Sequence, residues 1–198
     1  MKITPLSIEG AWEIVPVVHG DRRGRFVEWF RQDLFTEAVG RPMLLAQGNL
    51  SVSAKDVVRG VHFADVPPSQ AKYVSCVRGA VLDVIVDLRV GSESFGAWEF
   101  VQLDDVNRSS VYVSEGLGHG FVALSDDATI HYCVSETYNP TAEHGIHPLD
   151  PDLGIDWPVE VPILSAKDEA APSLEEALKS DLLPRYSDCV AYTSSLNG

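Results

Sequence analysis

Short runs of β-branched and aromatic residues dominate the first 160 residues, separated by Gly, Pro, Asp and Asn. In the run AVLDVIVDLRV (80–90), Leu82 and Val84 fall on one face and Asp83 and Asp87 on the other. This period of two is typical of a β-strand with one packed and one partly polar face. Strands of this length at regular spacing predict an all-β, double-sheet jelly roll of about eight to ten strands. Such a fold leaves a mouth between its sheets where a small molecule can bind.

Short flanking helices are predicted in two places. The segment RQDLFTEAVG has apolar residues at helical spacing and ends at Gly40. The segment SLEEALKSDLLP has Ser173 and Glu176 at the spacing of a capping box, which predicts a helix of about ten residues that ends before Pro184. The small, polar tail after Tyr186 is expected to be weakly ordered through residue 198.

The length predicts one domain over residues 1–198, with a core of about 8–168 and a C-terminal helix and tail over 169–198. The chain carries 29 acidic against 15 basic side chains, a formal net charge of −14. Nucleic acids and anionic membranes bind positively charged surfaces, so neither is expected as a partner. An anionic ligand would need a local basic pocket.

The cysteines Cys76, Cys133 and Cys189 are odd in number and have no CxxC spacing, which argues against a disulfide framework and a zinc ribbon. The N-terminal segment carries Glu9 and has no long apolar core, so it does not resemble a signal peptide. No apolar run approaches about eighteen residues. These features predict a cytoplasmic protein.

The segment VVRGVHFADVPPSQAKY (57–73) concentrates Arg59, His62 and Lys72 among apolar residues. In a regular strand Arg59 and His62 point to opposite faces. A bulge at Gly60 would turn both side chains towards one cavity, because an extra residue in one strand re-aims its neighbours. The alternative is a structural histidine that only bonds to nearby backbone.

Three further residues favour a reaction site. His119 lies between glycines in GLGHGF, where backbone can approach a ligand closely. Tyr132 supplies a phenol that can donate a proton. Asp168 follows the last β-like run and could fold back to orient an imidazole as a base. The set would comprise a base, an orienting acid, a cationic donor and a phenol.

Other chemistries have weaker support. His62 is followed by Phe63 rather than by the second member of an HxH pair, and the HxxH pair of His144 and His147 lies beside a proline, as is typical of a loop. The chain has no GxSxG, GxGxxG or P-loop motif. We therefore expect a proton-transfer site that uses no metal and no cofactor.

A series of motifs in fixed order runs from about Ile8 to Asp168. It includes DRRGRFVEWF, AQGNLSVS, VVRGVHF, PPSQAKYVSCVRGAVLDVIVDLRVGSESFGAWE, VYVSEGLGHGFVALSDDATIHYCVSETYNPTAEHGI, DPDLGIDWP and LSAKD. With this set the chain resembles the nucleoside-diphosphate 4-keto-6-deoxysugar 3,5-epimerases, the rhamnose-pathway family of the cupin class, and its antibiotic-sugar relatives. The resemblance implies a cupin-like jelly roll, a nucleotide-sugar substrate and a homodimer whose N-terminal segment reaches into the partner's site.

The resemblance also implies roles for individual residues. His62 corresponds to the general base and Asp168 to its partner, Tyr132 to the acid on the opposite face of the sugar, and Lys72 to the residue that stabilises the enolate oxygen. Tyr138 corresponds to an aromatic ring that stacks on thymine. The other positions that contact the nucleotide diphosphate and sugar in the family are Arg23, Glu28, Gln47, Asn49, Arg59, His119, Glu143 and Lys167.

The implied reaction inverts C3, C5 or both in a dTDP-4-keto-6-deoxyhexose, because both carbons flank the C4 ketone. After His62 the chain reads FADVPP, where rhamnose enzymes usually continue with Tyr-Gln. This departure resembles antibiotic-pathway epimerases, several of which invert one centre, so the number of inverted centres stays open. The alternatives are a catalytically silent sugar-nucleotide binder and a cupin 3,4-ketoisomerase.

Overall fold

The computed structural model describes residues 1–196, which form mainly short strands, with one short helix among them and three after them. The strands are β1 (Lys2–Pro5), β2 (Ala11–Val15), β3 (Val18–Asp21), β4 (Gly24–Val27), β5 (Gln47–Ser53), β6 (Val58–Ala64), β7 (Lys72–Arg78), β8 (Ala80–Val86), β9 (Trp98–Asp104), β10 (Ser110–Val113), β11 (Gly118–Ala123), β12 (Ala128–Val134) and β13 (Glu143–Gly145). The helices are α1 (Gln32–Val39), α2 (Ala166–Glu169), α3 (Leu174–Lys179) and α4 (Tyr186–Ser195).

Two antiparallel sheets form the body of the protein. One has six strands in the order β1-β2-β10-β7-β12-β5, and the other has five in the order β13-β6-β11-β8-β9. The β3–β4 hairpin forms a separate two-stranded sheet. The predicted all-β double-sheet fold with short helices is confirmed. The expected eight to ten strands is an underestimate, because strands as short as β1, β3 and β13 are too brief to show an alternating pattern.

The main core lies between the two sheets. Val74 and Ile130 of the six-stranded sheet belong to the same buried cluster as Val81 and Ile85 of β8. The opposite face of β8 is also covered, because Val84 packs in a second cluster with residues of the C-terminal region. Strand β8 is therefore buried on both faces.

The face of β8 predicted to be partly polar carries Asp83, and Asp87 follows in the next loop, but this face is packed as well. Asp83 and Asp87 are both fully buried. Asp87 accepts hydrogen bonds from the Nε and Nη2 atoms of Arg89, each at 2.8 Å. The hydroxyls of Ser92 and Ser94 also donate to Asp87, so side chains of the protein satisfy this carboxylate.

The helix predictions were only partly correct. Helix α1 ends at Gly40, which has the left-handed φ of 88°. Helix α3 begins with the predicted capping box of Ser173 and Glu176, but it ends after six residues. The prediction of a weakly ordered tail after Tyr186 is wrong for residues 187–195, because they belong to α4, whose Cys189 is buried. The last two residues of that predicted tail, 197 and 198, lie outside the described residues.

Candidate active site

A cleft of about 400 Å³ opens between the two sheets. Strands β6 and β11 supply one wall, and β5, β7 and β12 of the other sheet supply the facing wall. Of the residues predicted to form the site, those that line the cleft are Gln47, Asn49, Arg59, His62, Lys72, His119, Tyr132, Tyr138, Glu143 and Lys167. The double-sheet topology thus brings together residues from distant parts of the chain.

A bulge in β6 turns Arg59 and His62 towards the same cleft. His62 pairs with His119 of β11, and Arg59 pairs with Phe121, so β6 uses one residue more than β11 between the two pairs. Gly60 lies in this stretch with φ of +124°, a backbone conformation that favours glycine. The predicted bulge is present, and it explains how two residues of opposite parity share one cavity.

His62 is held by a carboxylate behind the cleft wall. Its Nε2 lies 2.7 Å from Oδ1 of Asp168, which is buried at the N-terminal turn of α2. The hydroxyl of Ser165 donates to the second carboxylate oxygen of Asp168 at 2.8 Å. Burial opposes ionisation of Asp168, but the hydrogen bond and charge of His62 outweigh it and lower the pKa of this carboxyl. Asp168 therefore fixes the imidazole and leaves Nδ1 for the cleft.

Lys72 lies on the facing wall, at the start of β7. Its Nζ donates to Oε1 of Gln70 at 2.7 Å, and Nε2 of Gln70 donates to Glu143 at 3.2 Å. Burial lowers the pKa of Lys72 to about 8, although the charge of Glu143 acts in the opposite direction. The cleft therefore contains a buried amine that is mostly protonated at neutral pH but loses its proton at a lower pH than an exposed lysine does.

Tyr132 stands on the same wall as Lys72, on the neighbouring strand β12. Burial raises the pKa of its phenol, the charge of Glu143 raises it further, and Arg59 acts against both. The phenol consequently keeps its proton at neutral pH. A base on one sheet and a phenolic donor on the other are the arrangement needed to add and remove protons from two sides of one ligand.

Polar and aromatic residues extend the cleft away from His62. Gln47 donates to Oδ1 of Asn49 at 2.7 Å and accepts from the backbone N–H of Tyr138 at 2.9 Å. The side chain of Tyr138 is 56% exposed, so its ring is available for stacking. Arg59 donates through Nε to Ser53 at 3.1 Å, which holds its guanidinium at the cleft. Together these residues offer hydrogen bonds, a cation and a ring face.

Two predicted binding residues lie away from the cleft of their own chain. Arg23 is in the turn of the β3–β4 hairpin, where its side chain is 84% exposed and pairs with Asp21. Glu28 follows β4 and lies 3.4 Å from Arg31. Because the hairpin stands apart from both large sheets, the structure does not bring Arg23 and Glu28 to the site within one chain.

Several residues of the site were missed or misread. Asp83 was predicted only as a polar residue of a strand, but it bonds to His119 from behind. Gln70 was not predicted as a site residue, but it links Lys72 to Glu143. His144 was expected in a loop, yet it lies in β13, lines the cleft and contacts Asp65 at 2.9 Å. Sequence spacing gives no signal for these contacts, because each joins residues from different strands or loops.

Residues 1–196 contain no group of three or more His, Cys, Asp or Glu side chains placed to hold a metal ion. In the same part of the chain, no helix has both the length and the apolar character needed to cross a membrane.

Comparison with known proteins identifies the family. The family model described as dTDP-4-dehydrorhamnose 3,5-epimerase matches residues 5–176. The chain belongs to the dTDP-4-dehydrorhamnose 3,5-epimerase family. The resemblance noted in the sequence motifs is thus confirmed for most of the chain.

Two relatives within the dTDP-4-dehydrorhamnose 3,5-epimerase family differ in their stated specificity. The chain is 60% identical over 193 residues to the dTDP-4-dehydrorhamnose 3-epimerase of Streptomyces niveus, covering 98% of this chain and 93% of the relative. It is 56% identical over 198 residues to the dTDP-4-dehydrorhamnose 3,5-epimerase of Mycolicibacterium smegmatis, covering 99% and 97%. The chain is therefore highly similar both to a relative named as an epimerase of one carbon and to a relative named as an epimerase of two.

A solved structure supports the same fold. NovW, a 4-keto-6-deoxy sugar epimerase from the novobiocin biosynthetic gene cluster of Streptomyces spheroides, superposes with a TM-score of 0.94 at 60% identity. The match covers 96% of this chain and 95% of NovW. The double-sheet architecture is therefore shared with a 4-keto-6-deoxy sugar epimerase.

Proposed function

We propose that this protein is a cofactor-independent epimerase of a dTDP-4-keto-6-deoxyhexose and that it acts in cytoplasmic deoxysugar biosynthesis, of the antibiotic or rhamnose type. The observation that carries the proposal is the placement of His62, bonded to Asp168 behind it, on one sheet wall of the cleft, with Lys72 and Tyr132 on the other. Membership of the family supports the same reaction.

Each side chain has a distinct step in the proposed reaction. His62, oriented by Asp168, removes the proton from a carbon next to the C4 ketone. The C–H electrons form the enolate, and the negative charge rests on the C4 oxygen. The ammonium of Lys72 stabilises that oxygen, as an oxyanion-type donor typically worth about 3 to 4 kcal/mol. Tyr132 then donates a proton to the opposite face of the carbon, which inverts it.

The charged part of the substrate needs a local cation, since the net charge of the chain is −14. We assign Arg59 and Lys167 to the diphosphate, and Tyr138 to stacking on the thymine ring. Gln47, Asn49, His119 and Glu143 complete the contacts to nucleotide and sugar. The exposed hairpin with Arg23, and Glu28 beyond it, fit a homodimer in which each chain contributes these residues to the partner's cleft.

Deuterium exchange tests the reaction directly. The protein is incubated with dTDP-4-keto-6-deoxyglucose in D₂O, and the sugar is analysed by NMR. Deuterium at C3, at C5 or at both identifies the inverted centres. The names of the relatives do not decide this, because one is named as a 3-epimerase and another as a 3,5-epimerase. Absence of deuterium at both carbons would favour a silent sugar-nucleotide binder, whereas migration of the keto group would favour a ketoisomerase.

His62→Ala separates binding from catalysis. It should abolish exchange and leave dTDP binding within about threefold of wild type, because the base touches the sugar rather than the nucleotide. The control is His147→Ala, which changes a histidine outside the cleft lining and should exchange normally. Exchange retained by His62→Ala would remove His62 from the role of base.

Subunit mixing tests the contribution of the partner. Arg23→Ala and His62→Ala protomers are each expected to be nearly inactive, but a mixed dimer contains one cleft with both native residues. Random mixing should then recover about a quarter of the wild-type activity, since half of the dimers are mixed and each has one intact site. No recovery, in dimers shown by light scattering to have mixed, would contradict the shared site.

A further inference from the structure

A second carboxylate–imidazole pair lies directly beside the first. Nε2 of His119 is 2.8 Å from Oδ2 of Asp83, and His119 is the cross-strand partner of His62. Directly opposed residues in antiparallel strands have Cβ atoms about 4.5 to 5.5 Å apart. The two imidazoles are therefore neighbours on one wall, and in both rings the carboxylate holds Nε2 and leaves Nδ1.

The two carboxylates have different surroundings. Asp168 has a partner for each oxygen, from His62 and Ser165. Asp83 is 0% exposed, and its Oδ1 has no hydrogen-bond partner among the described residues. Burial raises the pKa of Asp83, and the contact with His119 offsets this only in part, whereas the pKa of Asp168 is lowered. Environments that separate two carboxyl pKa values in this way commonly assign them different roles.

These surroundings determine where protons reside. A fully buried carboxylate with an unpaired oxygen is costly when the pair carries a net negative charge. The cost falls if the His119–Asp83 pair holds one proton more, either on Asp83 or as an imidazolium. In both of these states Nδ1 of His119 bears a hydrogen. In the His62–Asp168 pair the carboxylate keeps its charge and accepts from Nε2–H, so Nδ1 presents a lone pair.

We propose that the two histidines present opposite hydrogen-bonding groups to the substrate. Nδ1 of His62 offers a lone pair, and Nδ1 of His119 offers an N–H. His119 then donates a hydrogen bond to an oxygen of the bound sugar beside the carbon that loses its proton. Such a donor stabilises negative charge as it develops on the sugar. Asp83 is a positioning residue, which acts by keeping the hydrogen on Nδ1 of His119. This inference deepens the proposed epimerase function and rests on it for its kinetic test.

The first experiment does not depend on turnover. Wild-type protein labelled with ¹⁵N-histidine is studied by NMR at pH 7, and the rings are assigned by the signals lost in His62→Gln and His119→Gln. We expect a protonated signature for Nδ1 of His119 and an unprotonated signature for Nδ1 of His62. An unprotonated Nδ1 on His119 would overturn the inference even if the protein is shown to be an epimerase.

The second experiment compares substitutions at the two carboxylates. Asp83→Ala should lower kcat about 100-fold with little change in KM, because the donor acts on charge that develops in the transition state. Asp83→Asn should recover to within about tenfold of wild type, because its amide N–H can donate to Nε2 and keep the hydrogen on Nδ1. At the other pair, Asp168→Asn should be about as inactive as Asp168→Ala, since a base needs the ionised carboxylate.

The activity of Asp83→Asn distinguishes a positioning role of Asp83 from a requirement for its charge. Asp83→Asn as inactive as Asp83→Ala would mean that the charge of Asp83 is required, and would overturn the inference. Thermal unfolding is measured for each variant, and Asp83→Leu, which is closer in volume, replaces Asp83→Ala if the alanine variant does not fold. A wild-type protein that binds dTDP but does not exchange deuterium would contradict the proposed function and leave the NMR result to decide the inference.

Discussion

Replacing Lys72 with methionine should make the protein more stable and less active. Folding lowers the pKa of Lys72 from 10.5 to about 8, with burial as the main cause. A shift of this size corresponds to about 3 kcal/mol of stability lost while the ammonium is charged. Methionine fills similar space without the charge, but it leaves Oε1 of Gln70 without its donor, at a cost of about 1 kcal/mol. The expected net gain at neutral pH is about 2 kcal/mol.

The gain should depend on pH in a defined direction. Below pH 8 Lys72 is protonated in both the folded and the unfolded state, so the whole cost is present. Between pH 8 and 10.5 the folded protein releases the proton and the unfolded chain keeps it, so the wild type gains stability with rising pH. Above pH 10.5 the amine is neutral in both states, so the cost of burying its charge is absent. The advantage of Lys72→Met should therefore shrink as the pH is raised from 7 to 10.

Urea denaturation of both proteins at pH 7 and pH 10 measures these differences, and deuterium exchange measures activity. Lys72→Met should lose about 10² to 10³-fold in kcat, because the enolate oxygen loses its cation. Lys167→Met is the matched control: Lys167 lines the cleft but is exposed, so its unfolding free energy should change by less than about 0.5 kcal/mol. A variant less stable than wild type at pH 7, or a difference independent of pH, would refute the assignment of Lys72 as a destabilising buried cation.

Three further outcomes follow from the same structure. The kcat/KM of the wild type should decline above pH of about 8, as Lys72 loses its proton; a pH–rate profile measures this, and Lys72→Met should lack that decline. Tyr132→Phe should still exchange deuterium at the carbon that His62 deprotonates but should form little inverted sugar. NMR that finds normal inversion would exclude the phenol as the proton donor. Arg41→Met should lower the unfolding free energy by about 3 kcal/mol in urea denaturation, because it leaves the buried carboxylate of Glu115 without its charged partner. Adding Glu115→Gln should restore part of the loss. An Arg41→Met variant as stable as wild type would contradict the importance of the pair.

Local features were predictable from the sequence because neighbouring residues determine them. The stop of α1 at Gly40 and the capping box of Ser173 need only a few adjacent positions. Helix α4 was missed because it depends on docking, with Cys189 buried and the hydroxyl of Tyr186 donating to Glu9 at 2.6 Å. A short polar segment carries no signal for such contacts with the opposite end of the chain.

Only part of the candidate site could be predicted from the sequence. The contact of His62 with Asp168 spans 106 positions, and it could be anticipated because a base histidine commonly needs an orienting carboxylate. The contact of His119 with Asp83 has the same chemistry but was not foreseen. Asp83 lies on the face of β8 predicted to be partly polar, and alternation does not distinguish a polar face turned to water from one buried between two sheets.

Two glycines determine that the imidazoles are neighbours. A Cβ at Gly60 would lie 2.6 Å from Cα of Gly120, and a Cβ at Gly120 would lie 2.7 Å from the carbonyl oxygen of Arg59. Any side chain at these positions would push β6 away from β11 at the bulge that aims Arg59 and His62 into the cleft. Side-chain chemistry alone therefore does not define the site. The base and the adjacent His119 can act on one sugar because two facing residues without side chains let the strands approach this closely.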